Sequence, residues 1–311
     1  MKKIHIFLAF IFINQFSFAQ GQAGSLFLSI NPGAKSSGMG EANIGIADDS
    51  YATYYNPAGL MNLSSKEFSF MHSSYLPNIA DDMSYDFLTF GMPLGEGQAI
   101  GGHFTYLNLG DQTSTDSNNT DLGTFSSYMY ALNVSYARSL DDNSSLGVNG
   151  KYFFQELAVT GDFDASSSNV AIDLGYFRHN AFNNPNLKLG VIIANLGPGV
   201  SFDDGEEDPL PSKLGLGSSL YIMDGKGLAA LDLNYEINDS SMSTHLGFQY
   251  SISEQIFVRA GMLNDSTGEV SFSTLGFGFK LESIAFDLSY LLADEFDPHA
   301  DMLKFSISGS F

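Results

Sequence analysis

The sequence has no cysteine and no tryptophan in its 311 residues. Without thiols there is no disulfide framework and no thiolate site for metal or catalysis. Charge is scarce as well: Asp, Glu, Lys and Arg together make up 15% of the chain, against about 25% in an ordinary soluble domain. Bases are the rarest of these, 13 Lys and Arg against 35 Asp and Glu, for a net charge of −22. So acidic a chain repels nucleic acid, which calls for basic patches. Beyond residue 20 no run of 18 apolar residues occurs, which excludes transmembrane helices. There is no HExxH, no GxSxG in an elbow context and no P-loop, so neither an enzyme nor a cofactor is expected. A surface lipase or protease is the least favoured class.

What is present points to the membrane by another route. Lys2 and Lys3 precede an apolar run from Ile4 to Ile13, and Ser17-Phe18-Ala19 then leads to Gln20. That pattern reads as a signal peptide over 1–19, too short to be a spanning helix. Its removal would bring the net charge to −24. The chain is rich in ring side chains, 27 Phe and 15 Tyr. With helices excluded, a closed barrel is the remaining way to cross a bilayer.

After Leu63 the apolar residues fall into period two. Leu303, Phe305, Ile307 and Phe311 alternate with Lys304, Ser306, Ser308 and Ser310. Leu231, Leu233 and Tyr235 alternate with Asp232, Asn234 and Glu236. One face suits lipid and the other a polar lumen. Fourteen such segments are expected: 66–75, 83–93, 98–108, 125–138, 146–157, 170–178, 187–196, 213–223, 228–238, 242–252, 255–263, 270–281, 284–292 and 301–311. If the first runs outward, the long acidic connections 109–124 and 197–212 lie outside and the tight turns 94–97 and 224–227 lie inside. Outer-membrane barrels sort their connections this way. The expected fold is therefore all-β, a transmembrane antiparallel up-and-down barrel of about 14 strands. The expected division is a signal peptide at 1–19, an N-terminal hatch at 20–64 and a barrel at 65–311.

The hatch is inferred from residues 31–60, NPGAKSSGMGEANIGIADDSYATYYNPAGL. This stretch is too rich in small residues to be a strand and has no apolar stripe for a free-standing helix. It is also too short for a core of its own, so its natural place is inside the lumen. Glycines allow close approach to the wall. Asp48, Asp49 and Asn56 can cap short turns, and Pro57 fixes an entry.

These residues resemble a known family. Gly38 and Gly40, Ala47-Asp48-Asp49, and Asn56-Pro57-Ala58-Gly59 match the hatch signature of FadL-like outer-membrane barrels. The fuller pattern, NPGAKSSGMG followed by IADDSYATYYNPAGL, is similar to the PorV/PorQ family of the type IX secretion system. Glu41 departs from it, where a small residue is expected. The resemblance implies a cell outer-membrane location and a non-enzymatic role in protein secretion or surface attachment. The partners it implies are outer-membrane lipids, other secretion components and exported proteins that are bound or shuttled. The alternative, on the FadL-like branch, is a channel for uptake of a hydrophobic small molecule. The terminal Phe311 resembles the sorting signal of such barrels.

Other candidates weigh less. Asp203, Asp204, Glu206, Glu207 and Asp208 form an acid cluster on an outer loop without EF-hand spacing, so a solvated loop is favoured over a metal site. Asp294, Glu295, Asp297 and Asp301 form a second, weaker cluster. His72, His103, His179, His245 and His299 are expected in the lumen or loops. Lys151, Asp173, Asp232, Glu236, Arg259, Lys280, Asp287 and Lys304 should point inward and pair with each other or with the hatch.

Overall fold

The structure, a computed structural model, describes residues 23–115, 118, 120–160, 163–202, 207–265, 271–293, 297 and 299–311. The expected signal peptide lies outside them. Fourteen antiparallel strands close a barrel: β1 (Glu67–Ser74), β2 (Ser84–Gly95), β3 (Gln98–Thr115), β4 (Asp121–Asp141), β5 (Ser144–Thr160), β6 (Phe163–Arg178), β7 (Leu187–Leu196), β10 (Lys213–Ile222), β11 (Gly227–Glu236), β12 (Ser241–Ser251), β13 (Ile256–Asp265), β14 (Ser271–Leu281), β15 (Ile284–Leu292) and β16 (Leu303–Ser310). Two further strands, β8 (Val200–Ser201) and β9 (Glu207–Asp208), form a small hairpin between β7 and β10. Each barrel strand pairs with the next in sequence around the ring, and β1 pairs with β16 to close it. Phe311 extends that seam: its N–H donates to Lys66 O at 2.9 Å, and Lys66 N–H donates to Phe311 O at 3.1 Å.

Side-chain alternation sets the two faces. On β16, Leu303, Phe305 and Ile307 are 47%, 42% and 36% exposed, while Lys304 and Ser306 between them are 2% and 1% exposed. The same outward belt of Leu, Phe, Tyr, Val and Ile runs round the barrel. A contiguous apolar surface of that kind needs lipid, not water, against it. No helix among the described residues is long and apolar enough to cross a membrane. One end of the barrel carries tight connections of two to eight residues, 96–97, 142–143, 179–186, 223–226, 252–255 and 282–283. This is the turn end; the opposite one is the loop end.

Three details differ from the sequence reading. Strands β3 to β6 run further toward the loop end than expected, so most of 109–124 and 158–169 is paired strand. Backbone ladders satisfy those polar, Ser/Thr-rich residues beyond the apolar belt as well as water would. The interior is not polar throughout. Met71, Tyr85, Phe87, Leu107, Phe153 and Phe177 point inward and are buried, because the N-terminal segment covers them. Finally, His72 sits on the outward face of β1 beside Asp86 on β2, Nδ1 to Oδ1 at 2.7 Å. It is neither in the lumen nor in a loop.

Candidate functional site

The N-terminal segment occupies the lumen. It is anchored at the loop end, where Gly24 N–H donates to Pro209 O at 2.8 Å and Gln155 Nε2 donates to Ser25 Oγ at 3.0 Å. Phe27 then packs edge-on against Phe153 of β5. The 3₁₀ turn over Leu26–Ser29 that carries Phe27 gives way to an extended stretch, and the buried carbonyls of both must find donors. Tyr54 Oη donates to Leu28 O at 3.2 Å, Tyr85 Oη to Ile30 O at 2.9 Å, and Tyr55 Oη to Pro32 O at 2.8 Å. A short helix α1 (Ala34–Ser37) rests on β14, β15 and β16, and its first N–H donates to Ser306 Oγ at 2.8 Å. A second, α2 (Ala52–Tyr55), and a 3₁₀ turn (Pro57–Asn62) pack on the β2–β6 side. The chain leaves at the turn end and enters β1.

The wall meets this segment through glycines. Across neighbouring strands Gly91 pairs with Gly101, Gly147 with Gly175, Gly190 with Gly217 and Gly247 with Gly261. A Cβ added at Gly147, Gly190, Gly247 or Gly261 would overlap main-chain atoms of Ala58, Ile44, Met39 or Gly40, respectively. One added at Gly276 would stand 2.9 Å from the Cα of Gly38. Backbone therefore lies directly on backbone at β5, β7, β10, β12, β13 and β14. Single wall side chains lock the same level. Thr274 Oγ1 accepts from Gly40 N at 3.1 Å, Ser219 Oγ donates to Gly45 O at 2.7 Å, and Ser145 Oγ donates to Ala58 O at 2.9 Å.

Charges add a second set of fastenings. Asp232 Oδ2 on β11 accepts from both Asn43 N and Ile44 N at 2.7 Å. His245 Nδ1 lies 2.9 Å from Gly40 O. Lys304 reaches Asn31 O at 2.8 Å and Glu41 Oε1 at 3.4 Å, while Asn31 Nδ2 donates to Glu41 Oε2 at 2.6 Å. The unexpected glutamate at 41 thus has a cation made ready for it. Within the segment, Lys35 Nζ bridges Asp48 Oδ1 at 2.6 Å and Asp49 Oδ2 at 2.9 Å. Burial opposes the Lys35 charge, but Asp48 and Asp49 outweigh it and hold the ammonium well above the usual lysine value. Among the described residues, two ion pairs of a lysine or arginine belong to the wall alone: Lys151 with Asp173 at 2.9 Å and Arg259 with Asp287 at 2.7 Å.

The signature residues come together here in distinct roles. Asn56 Oδ1 accepts from Ala58 N at 3.2 Å as an N-cap, with Pro57 the first residue of the turn it starts. Asn56 Nδ2 donates to Tyr176 O at 3.0 Å and ties that turn to β6. Ala47 is buried with φ 33°, and Gly59 lies so close to it that a Cβ there would strike the Ala47 methyl. Gly40, at φ 63°, adopts a conformation other residues resist. Asp49 Oδ1 accepts from Tyr51 N at 3.1 Å, while Asp48 serves Lys35.

Of the acid cluster, only Glu207 and Asp208 are among the described residues. Asp203, Asp204 and Glu206 lie outside the described residues, and Glu207 and Asp208 are on the β8–β9 hairpin. No group of acids and histidines suited to a metal occurs among the described residues. Sequence reasoning missed the wall glycines and the tyrosine donors. The signal was available for the former: glycine recurs at the inward phase of Gly147, Gly175, Gly190, Gly217, Gly247 and Gly261.

Solved structures share the fold at low identity. The Ralstonia pickettii toluene transporter TbuX superposes with a TM-score of 0.66 at 14% identity, covering 90% of this chain and 98% of its own. The Pseudomonas putida toluene transporter TodX gives 0.62 at 13%, covering 89% and 96%. A Pseudomonas aeruginosa FadL homologue gives 0.56 at 12%, covering 90% and 98%. No curated protein matches. The family model for the type IX secretion system protein PorV matches residues 20–244. With that match over most of its length, and on a FadL-like outer-membrane barrel, this chain belongs to the PorV family of type IX secretion proteins.

Proposed function

We propose that the protein is a plugged, non-enzymatic receptor in the outer membrane that binds exported proteins at its loop end and hands them on for surface attachment. The observation that carries this reading is the combination of a wall paired all the way round with a segment seated on that wall backbone to backbone. Such a lumen suits a scaffold that presents a surface better than a conduit that must open. By the usual asymmetry of these barrels the loop end faces outward and the turn end the periplasm. Family membership supports the secretion context.

The alternative is uptake of a hydrophobic molecule, as the names of the similar toluene transporters state for those proteins. It draws on fold alone. The inward apolar residues available to cradle such a ligand, Met71, Tyr85, Phe87 and Phe153, are instead packed by Phe27, Leu28, Tyr51 and Tyr54 of the segment itself. Affinity purification of the tagged full-length protein from native membranes separates the two readings. Recovery of secreted proteins that share a C-terminal domain is the expected result. Recovery of lipid or small hydrophobic molecules alone would favour uptake.

A further inference from the structure

Toward the turn end the outward face of β4 passes through Val134, Tyr136 and Arg138, and that of β6 through Leu174, Tyr176 and Arg178. The order is the same on both strands: apolar, then Tyr, then Arg. A leaflet boundary asks for that order, since hydrocarbon gives way to the interface and then to headgroup phosphates. Among the described residues no other barrel strand carries Lys or Arg on its outward face. Lys151, Lys188, Lys213, Arg259, Lys280 and Lys304 all take the inward phase.

Neither outward arginine has an ion pair among the described residues. Asp141, whose charge bears on Arg178, is occupied by Asn143 N at 2.8 Å and by Ser144. Arg138 pairs with Leu146 on β5, and Arg178 with Ser144 on the same strand. The two therefore flank the end of β5 with Cα atoms about 12 Å apart, two strand spacings across and two residues along. Two long side chains leaning in over Leu146 close that gap onto one phosphate, which each guanidinium can grip through two N–H groups.

Higher on β5 there is a seat for an acyl chain. Outward Leu146 and Val148 are exposed, and Gly150 follows, with open space where its Cβ would be. Val134 and Ile172 stand on either side of Gly150. The missing side chain thus leaves a notch in the apolar belt about 13 Å from Leu146. The long connections of the loop end, 109–124 and 197–212, contain no Lys or Arg.

We propose that β4, β5 and β6 form a binding site for an anionic phospholipid of the periplasmic leaflet. Its phosphate lies between Arg138 and Arg178, and one acyl chain runs along β5 into the notch at Gly150. The occupant is a lipid because the arginines continue a face that is apolar on all three strands. It is anionic because the ammonium of a zwitterionic headgroup would add a third positive charge to the two arginines. The site uses the orientation given above and is independent of what the loop end binds.

The test is native mass spectrometry of the full-length protein in detergent, titrated with dioleoyl phosphatidylglycerol or dioleoyl phosphatidylcholine. Phosphatidylglycerol is expected to bind about tenfold more tightly. Arg138→Gln combined with Arg178→Gln should abolish that preference. Gly150→Leu should weaken both lipids roughly threefold by filling the notch. Lys226→Gln, which removes a base from another turn, should leave binding unchanged. Folding of each variant is checked by the heat-dependent gel shift of the barrel. The proposal would be overturned by equal affinity for the two lipids, or by a preference that survives the double substitution or falls as far in Lys226→Gln. Unchanged binding to Gly150→Leu, or displacement of the lipid by inorganic phosphate at equal concentration, would overturn it too.

Discussion

Lys151 and Asp173 sit in the wall with 5% and 0% of their side chains exposed. Asn149 Nδ2 donates to Asp173 Oδ2 at 2.8 Å and Asn195 N–H donates to Asp173 Oδ1 at 2.8 Å. That carboxylate fills the irregularity where β6 and β7 lose register between Ile172 and Leu174. Asp173→Ala would leave a buried ammonium without its countercharge, and we expect a loss of about 3–5 kcal/mol in the unfolding free energy measured by urea titration in lipid. Replacing both, Lys151→Met with Asp173→Leu, should recover much of that loss. The Lys35 staple makes a pH prediction. Its ammonium has a raised value in the folded state, so its contribution is complete below the ordinary lysine value of about 10.4 and is lost as pH rises through the raised one. Lys35→Met should therefore speed hydrogen exchange of residues 34–49, relative to wild type, at neutral pH, and the difference should vanish in strong alkali.

At the scale of elements, the glycine belt decides whether the lumen is sealed. Gly147→Val puts a branched side chain where Pro57 and Ala58 already lie. Overpacking of that kind costs about 1–3 kcal/mol, and a neighbouring backbone cannot step aside as a side chain can. The barrel should still assemble, while residues 34–62 become cleavable by added protease; an equally resistant variant would show that the contact is slack. The strands were legible in the sequence because lipid imposes one rule on every outward position. Leu231, Leu233, Leu303 and Phe305 had no other choice. Inward positions answer to the segment they touch, so Phe87 and Phe153 point inward against the expected polar lumen, and Gly190 or Gly261 reads as a neutral gap until Ile44 or Gly40 is seen upon it. The ends of β3 to β6 were hidden for a related reason: Ser- and Thr-rich ladders beyond the membrane look like loop.

Across the whole molecule, the barrel wall and the segment inside it are tied together at many points. The tyrosine hydroxyls of Tyr54 and Tyr55 serve the segment that carries them, Tyr85 reaches it from β2, and Lys304 holds Asn31 and Glu41 from β16. Fastenings arise on strands all round the ring, so loss of one should loosen the segment locally. The pairing of Lys35 with Asp48 and Asp49 could not be read from spacing, because no helical or strand period relates those positions; a turn within the lumen does. The most direct measurement is ionic current through the purified protein in a planar bilayer. The wild type should show a flat baseline, and a variant lacking residues 24–62 should show stable open steps. Steady current through the wild type, or no gain of current on removing the segment, would contradict the picture of a lumen sealed by its own N-terminal chain.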